Sequence, residues 1–265
     1  MEYRILIVED NLVNQKVVIL QLKKFGFIVD VTGNGREALT ALEKRDYSII
    51  LMDCQMPVMD GYAATHEIRR REKLGARRTP IIALTAHAVK GDREKCLAAG
   101  MDDYISKPAT QAELATVIER WLKKREPLAV ENDDKIFPSG ATAKRERQAG
   151  DISNRLKLLR DDCGTELVVE LVDLFLQDSD IRIERLKKAV NRKEPLAVER
   201  EAHGLKGSAA NIGATEIAEL CSRLEIDAEN ANLQNAETTL AAICDEFETV
   251  KPYLKRTISE LVKDK

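Results

Sequence analysis

Aromatic residues make up only 4% of the 265-residue chain, and there is a single tryptophan. Single-stranded nucleic acid is bound largely by stacking of its bases on aromatic rings, so this scarcity argues against that class of partner. The five cysteines include no Cys-x-x-Cys pair, which argues against a zinc site, and their odd number does not suggest a disulfide framework. No apolar run approaches the roughly 18 residues of a membrane-spanning helix, and no secretory signal is visible. We therefore expect a cytoplasmic protein that neither crosses a membrane nor binds nucleic acid.

Net charge differs between the two halves of the chain. Residues 1–125 contain 21 Lys and Arg against 17 Asp and Glu, a charge of +4, whereas residues 126–265 contain 21 against 28, a charge of −7. Such charges would attract the halves only weakly, because salt screens their fields beyond about 8–10 Å. Ordinary solvated surfaces explain the asymmetry equally well. The length is comfortable for two domains, each with its own core.

The first half alternates between short apolar runs and helical stretches. Five runs are rich in β-branched residues, nearly continuously apolar and too short for helices, as buried parallel strands are. They lie at Arg4–Val8, Phe27–Val31, Tyr47–Met52, Pro80–Leu84 and Asp103–Ser106. Helices are predicted at about 12–25, 35–45, 61–73, 91–99 and 110–124. This alternation predicts an α/β doubly wound domain over residues 1–125, with a five-stranded parallel sheet and helices on both faces.

The second half has a different pattern. Residues 126–150 combine prolines and mixed charges without any period, which predicts a flexible linker spanning about 25–30 Å. Beyond them, long amphipathic segments predict four or five helices joined by short loops, one of which starts at Pro195. Residues 151–265 are therefore expected to form an all-α antiparallel helical bundle.

Five polar residues stand where predicted strands end: Glu9 and Asp10 after the first, Asp53 after the third, Thr85 at the fourth and Lys107 after the fifth. Ligands of open α/β sheets bind beyond the carboxyl ends of the strands, so these side chains should converge on one pocket. Crowded carboxylates repel one another unless a cation neutralises them, and their hard oxygens suit Mg²⁺. Lys107 can hold a phosphoryl oxygen, and Thr85 can offer a hydroxyl donor.

Four motifs surround this pocket. They are Ile7-Val8-Glu9-Asp10-Asn11, the segment Leu51–Gly61, Ala83-Leu84-Thr85-Ala86 and Ser106-Lys107-Pro108. They resemble the motifs of a response-regulator receiver domain, and the resemblance covers about residues 3–124. It implies a flavodoxin-like sheet with the strand order 2-1-3-4-5 and phosphorylation of Asp53.

The same resemblance implies a metal site. Glu9, Asp10 and Asp53 would bind Mg²⁺ together with the backbone carbonyl of Gln55. No glycine-rich phosphate loop or other nucleotide-binding segment is visible in the sequence, so Asp53 is expected to receive its phosphoryl group from a phosphorylated partner rather than from ATP.

The resemblance also assigns roles on the last two strands. Lys107 would contact the phosphoryl group, and its peptide bond to Pro108 would be cis. Thr85 and Tyr104 would form the switch, a pair of side chains that moves on phosphorylation.

One histidine, His203, stands out in the second half. Successive residues of a helix are rotated by about 100°. The apolar stripe of the predicted helix therefore points about 140° away from His203, so we expect the imidazole to be exposed. The stripe consists of Val198, Ala202, Leu205, Ala209 and Ile212. Lys206 and Gly207 share the face of His203, although a glycine within a helix costs about 1 kcal/mol relative to alanine. The missing side chain would let another protein's active site approach a nucleophilic imidazole.

The segment Ala202–Ser208, followed by Gly213, resembles the histidine phosphotransfer (HPt) domain over about residues 152–262. This resemblance implies that His203 is phosphorylated and that Lys206 and Gly207 support the phosphohistidine.

The two resemblances together imply a protein of a multistep His-Asp phosphorelay. Asp53 would accept a phosphoryl group from a phosphohistidine with Mg²⁺, and His203 would exchange it with a receiver aspartate. The implied partners are a donor histidine kinase and a downstream response-regulator receiver, and the linker is long enough for His203 to reach Asp53 within one chain. The chain is expected to be a phosphotransfer protein rather than an enzyme; if it is a fragment, the expected parent is a hybrid histidine kinase.

Two other interpretations fit parts of the pattern. An aspartate-nucleophile phosphatase also places an aspartate and Mg²⁺ at a strand end, but it expects a second aspartate two residues later, where this chain has Gln55. A scaffold that is never phosphorylated would not need the complete set of five strand-end residues. A DNA-binding output is not expected, because the second half is acidic and lacks a basic recognition helix.

Overall fold

The computed structural model describes residues 3–75, 77–85, 90–123 and 152–263. The linker predicted at 126–150 lies outside these residues, so its flexibility stays a prediction. An α/β domain (residues 3–123) precedes a helical domain (residues 152–263). Among the described helices, none is both long enough and apolar enough to span a membrane.

The α/β domain is built on a five-stranded parallel sheet, as predicted. The strands are β1 (Arg4–Val8), β2 (Ile28–Thr32), β3 (Ile49–Asp53), β4 (Ile81–Thr85) and β5 (Asp103–Ser106). Their order is β2-β1-β3-β4-β5, and every neighbouring pair is parallel. This is the order that the motifs imply, and it brings the carboxyl ends of β1, β3 and β4 side by side.

Helices cover both faces of the sheet. They are α1 (Leu12–Lys24), α2 (Gly35–Lys44), α3 (Gly61–Lys73), α4 (Lys90–Ala98) and α5 (Gln111–Lys123). In β1, Ile5 and Ile7 join a core with α1 and α5, whereas Leu6 and Val8 join a second core with α2, α3 and α4. Successive strand residues point to opposite faces, so a strand covered on both sides must be apolar throughout.

Side-chain hydrogen bonds determine where several elements begin. Asn11, Asn34 and Asp60 cap α1, α2 and α3, each accepting a backbone N–H from the first turn. The strand β3 begins two residues later than predicted, at Ile49. The residue predicted to start it, Tyr47, instead donates its hydroxyl to Asp30 at 2.9 Å.

The helical domain contains α6 (Ile152–Cys163), α7 (Thr165–Asn191), α8 (Pro195–Ile212), α9 (Thr215–Glu229) and α10 (Ala236–Lys263). Pro195 is the first residue of α8, as predicted, and Gly213 ends this helix with a left-handed φ of 84°. Apolar side chains from all five helices form one core. In it the rings of Phe175 and Phe247 pack edge to face, with their centres 6.0 Å apart. The prediction of an all-helical second domain is confirmed.

The two domains meet along α1. Val18 and Leu22 of this helix face the sheet, whereas Val13 and Val17 belong to the apolar core of the helical domain. Val13 and Val17 are buried completely or nearly so, and within the helical domain α1 contacts α7 and α8. A helix with two apolar faces is stable only when both are covered.

Phe175→Ala should lower the free energy of unfolding of the helical domain by about 3–5 kcal/mol, because it opens a cavity in the core and removes the ring contact with Phe247. Leu196→Ala, at an 82% exposed position of α8, should change it by no more than about 0.5 kcal/mol. Urea denaturation followed by circular dichroism measures both. Equal destabilisation by the two substitutions would contradict the placement of Phe175 in the core.

Candidate functional site

Three carboxylates converge at the carboxyl end of the sheet. Asp53 is the last residue of β3, and Glu9 and Asp10 follow β1 directly. One oxygen from each of the three lies within 4.8 Å of the others. Glu9 and Asp53 are each only 1% exposed. The parallel topology thus brings together acidic residues that are far apart in the sequence.

Lys107 supplies the positive charge of this acidic pocket. It follows β5, and its Nζ lies 2.6 Å from Glu9 Oε2 and 2.8 Å from Asp53 Oδ2. Burial alone would lower the pKa of Lys107, but the charges of Asp53 and Glu9 outweigh burial and raise that pKa above its ordinary value. The side chain is therefore a permanent ammonium.

Lys107 and the guanidinium of Arg182, whose Nη2 lies 3.8 Å from Asp10 Oδ2, bring two positive charges to three carboxylates. Burial and the charge of Asp53 raise the pKa of Glu9, while burial and the charge of Glu9 raise the pKa of Asp10. A divalent cation would remove this repulsion, and clustered carboxylate oxygens are the hard ligands that Mg²⁺ prefers. The donor set therefore fits the metal that the sequence motifs imply.

The other residues predicted for this pocket lie around the carboxylates. Thr85, the last residue of β4, is buried, and its carbonyl accepts a hydrogen bond from the backbone N–H of Lys107 at 2.7 Å. The peptide bond between Lys107 and Pro108 is cis, as the motif implies. Tyr104 is half-buried on β5, and the guanidinium carbon of Arg93 lies 5.9 Å from the centre of its ring. A switch role for Thr85 and Tyr104 stays a prediction.

Gln55 links the acidic pocket to the helical domain. Its backbone N–H points to Asp53 Oδ1 at 3.4 Å, and its side-chain amide donates to Glu199 Oε1 of α8 at 3.3 Å. The proposed role of its carbonyl as a metal ligand stays a prediction.

His203 lies on α8 and is only 8% exposed, so the expectation of an exposed imidazole is wrong. Helical periodicity compares the faces of one helix and contains no information about a second domain. Here α1 packs against α8, Asn14 of α1 lines the same cavity as His203, and Glu225 of α9 contacts the ring. The space beside Gly207 is filled in the same way, because a Cβ at that glycine would lie 2.9 Å from Asn14 Nδ2.

Glu225, a carboxylate that sequence analysis missed, holds the histidine. It lies on α9 and is 1% exposed; its Oε1 is 2.7 Å from His203 Nδ1, and its Oε2 accepts a hydrogen bond from Lys206 Nζ. Burial opposes its charge, but the hydrogen bond from His203 and the positive charges beside it lower the pKa of Glu225. An ionised carboxylate only accepts hydrogen bonds, so Nδ1 is the ring nitrogen that donates to Glu225, and Nε2 is the one left to carry the lone pair in the uncharged form of the imidazole.

The sequence does contain a signal for Glu225. Cys221, Leu224 and Ala228 form the buried face of α9, and Glu225 lies on that face, four residues after Cys221 and three before Ala228. A carboxylate on the buried face of a helix requires a partner. What the helical pattern does not reveal is that the partner is His203.

His203 and Lys107 line one cavity of about 250 Å³ between the domains. Asn14, Lys206 and Gly207 also contribute to its walls. A volume equal to several water molecules, each of about 30 Å³, is sufficient for a phosphoryl group. Because Lys107 contacts Asp53, this cavity joins the surroundings of the two residues predicted to carry phosphate.

Two family models match the chain in succession. That of the response regulator receiver domain matches residues 5–119, and that of the Hpt domain matches residues 170–258. The chain is a receiver domain followed by an HPt domain. This combination belongs to the His-Asp phosphorelay.

The curated relatives are sensor kinases much longer than this chain. The sensor histidine kinase GacS of Pseudomonas protegens is 30% identical over 230 residues, which are 84% of this chain and 24% of that protein. The chain spans about a quarter or less of the length of such relatives.

Two solved structures are each similar to a little under half of the chain. The receiver domain of the sensor histidine kinase PA1611 from Pseudomonas aeruginosa PAO1, which has a magnesium ion in its active site cleft, is 50% identical; the alignment covers 46% of this chain and 99% of that one, with a TM-score of 0.43. A Saccharomyces cerevisiae co-crystal structure contains the histidine phosphotransfer protein Ypd1 and the receiver domain of Ssk1. Its matching chain is 33% identical, with coverages of 45% and 88% and a TM-score of 0.44.

An arginine of the HPt domain reaches the acidic pocket of the receiver domain. Arg182 of α7 pairs with Asp178 at 2.8 Å, and its Nη2 lies 3.8 Å from Asp10 Oδ2. Gly204 makes room for this side chain, because a Cβ there would lie 2.1 Å from Arg182 Nη1. The net charges of the two halves did not predict this contact. Its cation, Arg182, belongs to the half with the negative net charge, and its carboxylate, Asp10, belongs to the half with the positive net charge.

Glu225→Gln should be less stable than the wild type at neutral pH. Because folding lowers the pKa of Glu225, its stabilising contribution is complete above the unfolded value of about 4.3 and is lost as the pH falls through the lower folded value. The difference in the free energy of unfolding between wild type and variant should therefore shrink as the pH falls below about 5. Urea titrations at several pH values measure it, with Glu229→Gln, at an exposed site of the same helix, as the control. A difference that does not vary with pH would contradict the contact.

Proposed function

We propose that this chain moves a phosphoryl group between Asp53 of its receiver domain and His203 of its own HPt domain, as consecutive steps of a phosphorelay. The observation that carries the proposal is the shared cavity, which is lined by both His203 and Lys107, the lysine that contacts Asp53. Placing His203 on a cavity whose wall includes the lysine bound to Asp53 replaces a bimolecular encounter by an intramolecular step.

Asp53 is the acceptor of the first step. One of its carboxylate oxygens attacks the phosphorus of a phosphohistidine on a donor kinase. A P–O bond forms, the P–N bond breaks, and the donor imidazole leaves with the electron pair. Lys107 balances the charge on the phosphoryl oxygens, and Thr85 offers a hydroxyl donor to them.

Glu9, Asp10 and Asp53, with the carbonyl of Gln55, are the residues that would hold Mg²⁺. When bound, the ion neutralises charge on the phosphoryl oxygens and on the carboxylates. The excess of three carboxylates over the two cations Lys107 and Arg182 supports this assignment. Thr85 and Tyr104 lie on the neighbouring strands β4 and β5, in keeping with a joint movement on phosphorylation.

His203 is the nucleophile of the second step. Glu225 holds the proton on Nδ1, so the lone pair of Nε2 is free to attack the phosphorus on Asp53. A P–N bond forms, the P–O bond breaks, and the carboxylate of Asp53 is regenerated. Lys206, oriented by Glu225, is placed to balance the phosphoryl charge, and Gly207 lets Asn14 of the receiver domain pack closely against α8.

Transfer onward from His203 requires the same face of the HPt domain. His203 and Lys206 are each only 8% exposed, and α1 of the receiver domain packs against the helix that carries them. A downstream response-regulator receiver would therefore have to take the place of the attached one. The proposed partners are this downstream receiver and a donor histidine kinase, and the proposed parent of such a chain is a hybrid histidine kinase.

Asp53→Asn and His203→Gln should separate the two steps. With a phosphorylated donor kinase and Mg²⁺, Asp53→Asn should lose labelling of both sites, because His203 is loaded through Asp53. His203→Gln should keep the label on Asp53 and lose it from the HPt domain. Phosphohistidine survives alkali and is lost in acid, whereas an acyl phosphate is lost in alkali, so quantifying alkali-stable phosphate assigns each label.

The control is His66→Gln, at an exposed position of α3, which should label like the wild type. Alkali-stable phosphate in His203→Gln would disprove the histidine assignment. Alkali-stable phosphate in Asp53→Asn would show that the donor reaches His203 without passing through Asp53.

A further inference from the structure

We infer that Asn11 and Asn14, at the start of α1, are the residues by which the HPt domain selects this receiver domain. The HPt face is the surface of α8 formed by Gly204, Gly207, Ser208 and Asn211. The partner that fits it is thus a receiver domain whose first helix begins with Asn-x-x-Asn. The inference rests on the proposed exchange between Asp53 and His203, and it identifies the contacts that make the exchange specific.

Asn11 has two functions at once. Its side-chain oxygen caps α1 by accepting the backbone N–H of Asn14 at 3.0 Å. Its side-chain nitrogen points into the HPt domain, 2.7 Å from Ser208 Oγ and 3.1 Å from the carbonyl of Gly204. An aspartate at this position would cap the helix equally well but would present no donor to these two oxygens.

Asn14 connects the HPt domain to the acidic pocket. Its Nδ2 donates to Glu9 Oε1 at 2.9 Å, and its Oδ1 accepts from Asn211 Nδ2 at 2.8 Å. An ionised carboxylate can only accept hydrogen bonds, so the NH₂ group of Asn14 faces Glu9. The amide oxygen of Asn14 is then available to accept the hydrogen bond from Asn211. An aspartate here would face Glu9 with a second negative charge, and an apolar residue would leave Asn211 without this acceptor.

The shape of the HPt face matches these two amides. Asn14 lies against Gly207, where a Cβ would come within 2.9 Å of its Nδ2, so the glycine on α8 is what admits the side chain. Asn11, Asn14 and Asn211 are all buried in the docked molecule. Buried amides without partners are costly, so a receiver domain that lacks this pair leaves the HPt side unsatisfied.

The test is a double-mutant cycle in the full chain. Asp53 is loaded with phosphoramidate and Mg²⁺, and the rate of alkali-stable phosphate appearing on His203 is compared with the rate of loading Asp53. An Asp53→Asn background measures direct phosphorylation of His203 by the reagent, which is subtracted. Asn14→Ala and Asn211→Ala should each slow transfer about tenfold relative to loading, the effect of one lost buried hydrogen bond. The double variant should be no slower than the slower single variant, because both remove the same contact.

Lys16→Ala is the matched control. Lys16 also bridges the domains, through a 2.6 Å ion pair with Glu170, but this pair is solvent-exposed and should matter less than about twofold. Wild-type transfer rates in both asparagine variants, or multiplicative effects in the double variant, would overturn the inference.

A failure of the proposed function gives a different result. If the wild type never transfers phosphate from Asp53 to His203, the proposed exchange is wrong, and small-angle X-ray scattering then decides the docking on its own. The inference survives if Asn14→Ala and Asn211→Ala each expand the molecule while Lys16→Ala does not. It fails if all three variants stay as compact as the wild type.

Discussion

The packing of α1 on both of its faces is the constraint on which the rest of the structure depends. One face, with Val18 and Leu22, completes a core of the receiver domain, and the other, with Val13 and Val17, completes the core of the HPt domain. Because apolar burial on each face is favourable, the helix holds two domains in one arrangement. The shared helix, together with the contacts of Gln55 with Glu199 and of Arg182 with Asp10, brings His203 and Lys107 to a common cavity.

Local charges, rather than net charges, organise the site. Lys107 sits between Glu9 and Asp53, and Arg182 approaches Asp10 from the domain whose net charge is negative. Buried charges interact strongly at short range and weakly beyond a Debye length. The net charge of each half of the chain therefore says little about the contact between the two domains. The acidic pocket retains an excess of negative charge, which is the property that a phosphoryl-transfer site with a divalent cation requires.

Much of the fold and half of the site could be predicted, and the reasons are physical. Apolar runs of strand length alternate with helices, and parallel topology then forces Glu9, Asp53 and Lys107 to one edge of the sheet. Glu225 was missed because an acidic residue on a buried helix face requires a partner, but the helical pattern does not identify which residue that partner is. Asn14 and Arg182 were missed because their roles exist only where two domains touch.

Sequence alone determined the two domain types and the identities of the candidate phosphoacceptors, since local periodicity and strand-end chemistry carry that information. The strand order followed from the resemblance of the four motifs to those of receiver domains. Sequence alone did not determine the surroundings of His203. The apolar stripe of α8 predicted an exposed ring, and the tertiary structure buries it beneath α1 and against Glu225. Periodicity describes how one element divides its faces between core and solvent, whereas the docking of a second domain depends on complementarity between surfaces that lie far apart in the chain.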